Sequence, residues 1–336
     1  MKKMYLILAI VLAVMLIAGC GGSGGGSKSA SPAKKVILTD AGWDSIRIHN
    51  SIVSFIADKA YGMKTEITAG STPITHTALV RGDIDVNLET WTDNLATYKE
   101  DVKSGAIVEL GVNFADNRQG VYVPRYVIEG DAKRGIAAVA PNLKTVADLK
   151  NYAGIFKDEE TPSKGRIYGA IPGWAADAIL SAKYNYLGLN ENFVYFRSGS
   201  DATLYAAFVS AIEKGQPIAG YLWEPTWITG KYDLVLLDDA PYTNAADFIA
   251  GKTAFPSVRV TVCASKKFAA SAPEFVEFLK KYATSSAFTA DGLAYMETNK
   301  ANYDATAIYL MKKYDKMLDQ WLAADKAKLV RDALPK

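Results

Sequence analysis

Early in the chain, short apolar strands alternate with capped helices, and this order constrains the fold more than any other feature. Residues 36–39 predict a strand, and the helix after it ends at Gly62. A second predicted strand at 63–67 leads into a helix that opens with a hydroxyl cap and Pro73. Residues 84–88 then alternate as a third strand. This βαβ order is typical of a mostly parallel sheet, so the sequence predicts an α/β fold.

The same order of elements begins again after Pro124, which indicates a second lobe. Residues 254–262 contain alternating valines that predict a strand returning the chain to the first lobe, and C-terminal helices complete that lobe. The expected architecture has two lobes, joined by crossover strands at about Pro124 and Pro256, with a ligand cleft between them. Lobe 1 is predicted to comprise residues 36–123 and 256–336, and lobe 2 residues 124–255.

The N-terminus is typical of a secretion signal. Lysines follow Met1, residues 5–17 are an apolar run too short for an ordinary membrane span, and small residues precede Cys20. This end resembles the lipobox of bacterial lipoproteins, whose cysteine becomes the lipid-modified first residue. Residues 1–20 are predicted to be a lipoprotein signal peptide. The Gly- and Ser-rich residues 21–35 are predicted to form a flexible tether. A protein lipid-anchored at the extracytoplasmic face of the cell membrane is expected, with Cys263 unpaired.

Charge and motif content argue against several classes of function. The 38 Lys and Arg residues nearly cancel the 36 Asp and Glu residues, so a nucleic-acid partner is not expected. No Cys/His spacing suggests zinc and no Gly-rich loop suggests a phosphate site, so no metal or cofactor is expected. His49 and His76 lie in predicted helices without an evident nucleophile, and both are interpreted as packed or solvated. A monomeric binding protein is predicted rather than an enzyme.

Three tryptophans far apart in sequence, Trp91, Trp174 and Trp223, each follow a predicted strand. Ligands of open α/β sheets bind beyond the carboxyl ends of the strands. The three indoles are therefore predicted to meet in the cleft, Trp91 from lobe 1 and the other two from lobe 2. Trp43 stands in a similar position before the first helix. A single tryptophan is more often packed in a core, and Trp227 is interpreted in that way.

Three motifs add a family resemblance to this pattern. They are Glu-Thr-Trp-Thr-Asp at 89–93, Ile-Pro-Gly-Trp-Ala-Ala at 171–176 and Tyr-Leu-Trp-Glu-Pro-Thr-Trp at 221–227, followed by Phe-Pro at 255–256. In this order they resemble the substrate-binding lipoproteins of glycine betaine and proline betaine ABC importers. The resemblance implies a two-lobed periplasmic-binding-protein-like fold of type II. It implies an aromatic box of Trp91, Trp174 and Trp223 around a quaternary ammonium group, with a permease and its ATPase as partners.

The chemistry of the ammonium group agrees with an aromatic box. A quaternary ammonium has no N–H and cannot be held by hydrogen bonds, whereas the negative face of an indole attracts it. Three rings supply about 2 to 6 kcal/mol, which is short of the roughly 8 kcal/mol of micromolar binding. Dispersion, lobe closure and recognition of the other end of the solute must therefore contribute.

A betaine carboxylate requires hydrogen-bond donors, and two predicted helix starts supply backbone N–H groups. One lies at Trp43 and Asp44, and the other at Gly173 and Ala175. The resemblance also implies a histidine shortly after a box tryptophan, but Thr226 occupies the position between Pro225 and Trp227 in this chain.

Acidic residues stand beside the rings instead. Glu89 precedes Trp91 by two positions, and so can share its face of a strand, and Glu224 directly follows Trp223. One hypothesis is that these acids help to hold a cation without a carboxylate, such as choline or trimethylamine N-oxide; carnitine is a further alternative. The other interpretation gives each acid a local role, such as a helix cap for Asp44 or a rim position for Glu224.

Two further functions remain open from the sequence. A secreted hydrolase acting on a choline ester would need a nucleophile and a base, and no Gly-x-Ser-x-Gly elbow is present. A sensor module that presents its ligand-bound form to a receptor would share every feature described above.

Overall fold

The structure, a computed structural model, describes residues 35–336. The predictions for the signal peptide, for Cys20 and for nearly all of the tether lie outside the described residues. Lys35, assigned to the tether, is the first residue of a strand. The strands are β1 Lys35–Asp40, β2 Lys64–Ala69, β3 Val86–Trp91, β4 Ile107–Phe114, β5 Gln119–Pro124, β6 Gly165–Tyr168, β7 Phe193–Phe196, β8 Gly220–Trp223, β9 Leu234–Leu236 and β10 Val260–Ser265.

Helices occupy most of the sequence between these strands. They are α1 Asp44–Tyr61, α2 Thr72–Arg81, α3 Tyr98–Lys103, α4 Arg125–Glu129, α5 Ala175–Tyr186, α6 Asp201–Lys214, α7 Trp227–Lys231, α8 Ala245–Ile249, α9 Lys266–Ser271, α10 Pro273–Lys281, α11 Ser286–Asn299, α12 Tyr303–Lys313, α13 Lys316–Trp321 and α14 Ala324–Ala333. Short 3-10 turns span Thr92–Asn94, Ala132–Arg134, Val146–Asn151 and Leu189–Glu191.

The strands form two five-stranded sheets, which confirms the predicted mixed α/β class. The first sheet has the order β2-β1-β3-β10-β4, and the second has the order β7-β6-β8-β5-β9. In each sheet the strands of the βα units run parallel to one another. One strand joins each sheet antiparallel: β10 in the first sheet and β5 in the second. We call the first sheet with its helices lobe 1 and the second sheet with its helices lobe 2.

Local sequence signals explain where the main helices begin and end. Gly62 ends α1 in the left-handed conformation, with φ 60°, and its N–H bonds back to the last turn. At the start of α6 the hydroxyl of Ser200 accepts a hydrogen bond from the N–H of Thr203. Helix α1 buries Ile48, Ile52 and neighbouring apolar residues against β3, α12 and α14. The C-terminal helices α12 and α14 therefore pack on lobe 1.

The crossovers between the lobes differ from the prediction. Strand β5 pairs with β8 and β9, so the chain enters lobe 2 before Gln119 rather than at Pro124. The returning strand begins at Val260 and not at residue 254. The reason is visible at Val258, whose N–H and C=O both bond to the side-chain amide of Asn117 in the other crossover. The two crossovers are therefore held together by hydrogen bonds from a side chain and not by strand pairing.

One capping prediction is also wrong. The N-cap position of α1 is held by Trp43, which makes no side-chain cap, and not by Asp44. Asp44 is the first residue of the helix and accepts a hydrogen bond of 2.9 Å from the Tyr303 hydroxyl.

Cys263 is fully buried in β10. Across residues 35–336, none of the helices combines the length and the apolar character that a membrane span requires.

Candidate ligand-binding site

Four tryptophans from the two lobes line one cavity. Trp43 of lobe 1 meets Trp174 of lobe 2 edge to face, with ring centroids 5.4 Å apart and planes at 85°. Trp174 meets Trp223 in the same way at 4.9 Å. Trp91 lines the same cavity from lobe 1. All four are more than nine-tenths buried. The indoles that the sequence places far apart are therefore brought together across the boundary between the lobes.

About 530 Å³ of space that protein atoms do not fill lies in and at the mouth of the cavity, and this figure includes solvent at its open side. Its walls are mainly apolar and aromatic, with a few polar groups, as is usual for a small-molecule site. None of its side chains within residues 35–336 belongs to lysine or arginine. The lining residues are Ala41, Trp43, Thr72, His76, Asn87, Glu89, Thr90, Trp91, Asn94, Leu95, Trp174, Ala175, Ala176, Tyr221 and Trp223.

The tryptophans reach the cavity from two kinds of position. Trp91 and Trp223 are the last residues of β3 and β8, at the sheet edge where ligands bind in open α/β folds. Trp43 and Trp174 are the residues before α1 and α5. Each of these two follows a glycine with positive φ, 96° at Gly42 and 88° at Gly173, in the region that favours glycine. On each lobe, a Gly-Trp pair just before a helix therefore places an indole at the cavity.

Glu89 lies at the base of the cavity and is 1 % exposed. Its Oε2 accepts hydrogen bonds from the Trp43 indole N–H and, at 3.0 Å, from the Ser45 hydroxyl. Burial raises the pKa of Glu89 to about 7, although hydrogen bonds from Trp43, Ser45 and Trp91 oppose the rise. A positive charge in the cavity would therefore favour the ionised form of this carboxyl group.

His49 does not supply that positive charge. Its Nε2 lies 3.5 Å from Glu89 Oε1, and its Nδ1 lies 2.8 Å from the Tyr282 hydroxyl. The side chain is fully buried, and burial lowers the pKa of His49 to about 3. His49 is therefore neutral and packed in lobe 1, in agreement with its sequence interpretation.

His76 lines the cavity, which its interpretation as a packed or solvated residue missed. Its Nε2 lies 2.8 Å from Asp101 Oδ2. Its Nδ1 is buried and has no hydrogen-bond partner among the residues that the structure describes. Asn94, on the 3-10 turn that follows Trp91, lines the cavity as well. Both residues add polar groups to a wall that the sequence indicated only through Trp91 and Glu89.

The start of α5 also opens into the cavity. Ala175 and Ala176 are its first two residues, and both line the site. No side chain caps this helix. Free N–H groups at a helix start attract negative or electron-rich atoms, so this end of α5 is suited to a polar oxygen of a solute.

Residues 34–313 match the family model described as the substrate-binding domain of ABC-type glycine betaine transport systems. The chain belongs to this family. Its members are extracytoplasmic solute-binding proteins that deliver small solutes to a permease, and they are transport proteins.

Solved structures share the fold of this family member. The glycine betaine/L-proline-binding protein ProX from Borrelia burgdorferi is 20% identical, with a TM-score of 0.71 over 88% of this chain and 100% of its own. An ABC-transporter choline-binding protein in complex with choline is 19% identical, with a TM-score of 0.70 over 90% and 98%. Lactococcal OpuAC, closed with glycine betaine, is 20% identical, with a TM-score of 0.64 over 86% and 100%. These similarities confirm the type II two-lobed fold.

Of the residues predicted to bind the ligand, several lie away from the cavity. Glu224 forms an ion pair of 3.0 Å with Arg118 and accepts a hydrogen bond from Tyr122. Thr226 caps α7, with its hydroxyl accepting from the N–H of Thr229. Asp44 bonds to Tyr303, as described above. Their side chains therefore have structural partners, and none of the three lines the cavity.

One lining residue was missed despite a signal in the sequence. Tyr221 precedes Trp223 by two positions in β8, and residues two apart in a strand share a face. Its ring stacks on that of Trp223 with centroids 5.7 Å apart. The alternation that placed Glu89 beside Trp91 would have found Tyr221 as well.

Gly173 does not line the cavity but joins the two lobes beside it. Its carbonyl accepts a hydrogen bond of 3.0 Å from the N–H of Thr72 in lobe 1. A Cβ at this position would lie 2.8 Å from the Cβ of Ser71, closer than side chains tolerate. The lobes can therefore approach to this distance only because residue 173 has no side chain.

Gly173→Ala is expected to weaken solute affinity about tenfold, because the added methyl group holds the lobes apart. Gly188→Ala is the matched control, since Gly188 also has positive φ, 68°, but open space around its Cβ. Each variant should lose about 1 kcal/mol of stability from backbone strain. Titration calorimetry and urea unfolding measure the two effects, and equal affinity losses in both variants would contradict the role of Gly173 in closure.

Proposed function

We propose that this protein captures a quaternary ammonium solute in the cavity formed by Trp43, Trp91, Trp174 and Trp223. It delivers the solute to an ABC permease driven by its ATPase. Lipid on Cys20 anchors the protein at the extracytoplasmic face of the membrane, where it acts as a monomer. The observation that carries the proposal is that indoles from both lobes surround one cavity in which, among residues 35–336, Glu89 is the one carboxyl group of the lining.

The cavity suits a cation that cannot donate hydrogen bonds. Desolvated cation–π contacts contribute about 2 kcal/mol or more each, and four indoles surround the space in place of the three predicted. An ammonium with N–H groups would lose its hydrogen bonds to water against these apolar faces, at a cost of about 1 to 3 kcal/mol per unsatisfied group. The box therefore favours methylated ammonium compounds over free amines.

The second end of the solute distinguishes the candidate compounds. Glycine betaine and proline betaine carry a carboxylate, for which the N–H groups of Ala175 and Ala176 at the α5 start can act as donors. Choline, carnitine and trimethylamine N-oxide are the other candidates. The solved relatives include a glycine betaine complex and a choline complex, and both support the same class of solute.

Titration calorimetry of the purified protein against these five compounds tests the proposal. At least one of them should bind with micromolar or tighter affinity. The uncharged isostere 3,3-dimethylbutanol, in which carbon replaces the nitrogen of choline, should bind at least about tenfold more weakly than choline if cation–π contacts dominate. Binding of sugars or uncharged amino acids, with no heat from any of the ammonium compounds, would refute the proposal.

A further inference from the structure

One wall of the cavity carries buried polar atoms that nothing else in the fold uses. Within residues 35–336, three residues that line it each have one buried side-chain atom without a hydrogen-bond partner: His76 Nδ1, Glu89 Oε1 and Asn94 Oδ1. All three belong to lobe 1. Buried polar atoms are nearly always paired in folded proteins. Their concentration at one cavity points to a ligand as the missing partner.

At His76 the unpaired atom is an acceptor in the neutral ring. The Nε2 atom lies 2.8 Å from Asp101 Oδ2. A carboxylate only accepts hydrogen bonds, so in the neutral imidazole the proton lies on Nε2. The lone pair then lies on Nδ1. His76 offers the cavity a nitrogen that accepts a hydrogen bond.

At Asn94 the amide nitrogen is the atom engaged within the fold. Its Nδ2 donates to Gln119 Oε1 at 3.2 Å, and the same oxygen accepts from the Tyr221 hydroxyl at 2.9 Å. In this arrangement the Asn94 carbonyl oxygen has no partner among the described residues. Asn94 therefore adds a second acceptor to the same cavity.

These acceptors are unfavourable for a carboxylate. A carboxylate only accepts hydrogen bonds, and it would lie in a cavity to which residues 35–336 contribute the Glu89 carboxyl group and no lysine or arginine side chain. A hydroxyl group both donates and accepts. It can donate to the lobe 1 acceptors and also accept from an N–H group at the start of α5, so it can use both sides of the cavity.

We propose that His76 and Asn94 select quaternary ammonium solutes whose second polar group is a hydroxyl donor, that is, amino alcohols such as choline, over solutes that end in a carboxylate. This inference rests on the proposed function and specifies the solute class of the same site. His76 and Asn94 contribute specificity at one end of the solute, and the tryptophans bind the other end.

Calorimetry with three cations tests the inference. Choline, glycine betaine and tetramethylammonium share the methylated ammonium group and differ in the second end, which tetramethylammonium lacks. Choline should bind the unaltered protein about tenfold more tightly than either of the others, because only choline pairs the open acceptors.

Two variants identify the residues responsible. His76→Phe keeps an aromatic ring but removes both nitrogens, Nδ1 and the Nε2 that faces Asp101, and Asn94→Leu keeps the approximate shape and removes the amide. Each should reduce the affinity for choline about tenfold and change that for tetramethylammonium by less than about threefold. Thermal melting of each variant verifies folding, and either variant alone suffices for the test.

Several outcomes would overturn the inference. Tighter binding of glycine betaine than of choline would show that the open acceptors do not set specificity. Equal losses for choline and tetramethylammonium in both variants would show that His76 and Asn94 only support the box. If none of the three cations binds the unaltered protein, the proposed function itself fails, and the inference with it.

Discussion

Replacing Trp174 with alanine is expected to weaken binding of the quaternary ammonium solute by about 3 kcal/mol, on the order of 100-fold. Trp174 is the central ring of the box, since its neighbours on either side are Trp43 at 5.4 Å and Trp223 at 4.9 Å. The substitution removes one cation–π contact directly. It also removes the ring that holds both neighbours in edge-to-face contact. Titration calorimetry measures the loss, with whichever of the five ammonium compounds binds the unaltered protein most tightly.

The matched control is Trp227→Ala, because Trp227 also belongs to lobe 2 but does not line the cavity. It should leave the affinity within about threefold of the unaltered protein, a change below 1 kcal/mol. Urea unfolding separates lost binding from lost folding. If Trp174→Ala unfolds the protein, Trp174→Phe, which retains an aromatic face, should bind with intermediate affinity. Unchanged affinity in a folded Trp174→Ala variant would exclude this ring from the binding site.

Glu89→Gln is expected to remove about 3 kcal/mol of pH dependence from the stability of the ligand-free protein between pH 4 and pH 8. The pKa of Glu89 is about 7 in the folded protein, against 4.5 for the unfolded reference. A raised carboxyl pKa stabilises the fold below pH 4.5, and this stability is lost as the pH rises through about 7. Glutamine does not titrate. Urea unfolding of both proteins at the two pH values gives the difference.

Other carboxyl groups do not obscure this comparison. Burial also raises the pKa of Asp201 to about 6, so Asp201 contributes in the same direction. It is present in both proteins, and its contribution cancels in the difference between them. An identical pH dependence in the two proteins would contradict the raised pKa of Glu89.

The same group links cation binding to pH. Glu89 is faced by Trp43 just before α1, by Ser45 and the neutral His49 in α1, and by Trp91 in β3. Behind His49 lies the Tyr282 hydroxyl. None of these groups carries a positive charge. A bound cation favours ionised Glu89. Affinity for a permanent cation should therefore rise with pH through about 7 and lose this dependence in Glu89→Gln. Glu224→Gln is the control, because Glu224 is paired with Arg118 outside the cavity. If Glu224→Gln loses affinity and Glu89→Gln does not, the role of Glu89 is refuted.

Much of the site could be predicted because its parts are locally encoded. Trp91 and Trp223 end strands that are recognisable from their alternation, and Trp174 follows a Pro-Gly turn that precedes an apolar helical pattern. The role of His76 could not be predicted in this way. The local sequence shows only that His76 belongs to α2, whereas its proposed role depends on Asp101, which is 25 residues away in sequence and lies 2.8 Å from its Nε2.

Acidic residues illustrate the same limit. Glu89 and Glu224 both stand beside a box tryptophan in sequence, and nothing local distinguishes them. In the folded protein Glu89 is enclosed by Trp43 and Ser45, more than 40 residues away along the chain, whereas Glu224 reaches Arg118 at the surface. Burial therefore separates two carboxyl groups that have the same sequence context.

The sequence by itself determined the α/β class, the two lobes, the capped helices that follow the strands and the positions of Trp91 and Trp223 at strand ends. These features follow from periodicity and capping within a few neighbouring residues. Only the tertiary structure decided that Trp43 joins the box, that Glu89 is buried beneath it and that His76 and Asn94 face the same cavity with unpaired acceptors. Burial and hydrogen-bond pairing depend on segments distant in sequence that meet only when both lobes fold and approach each other.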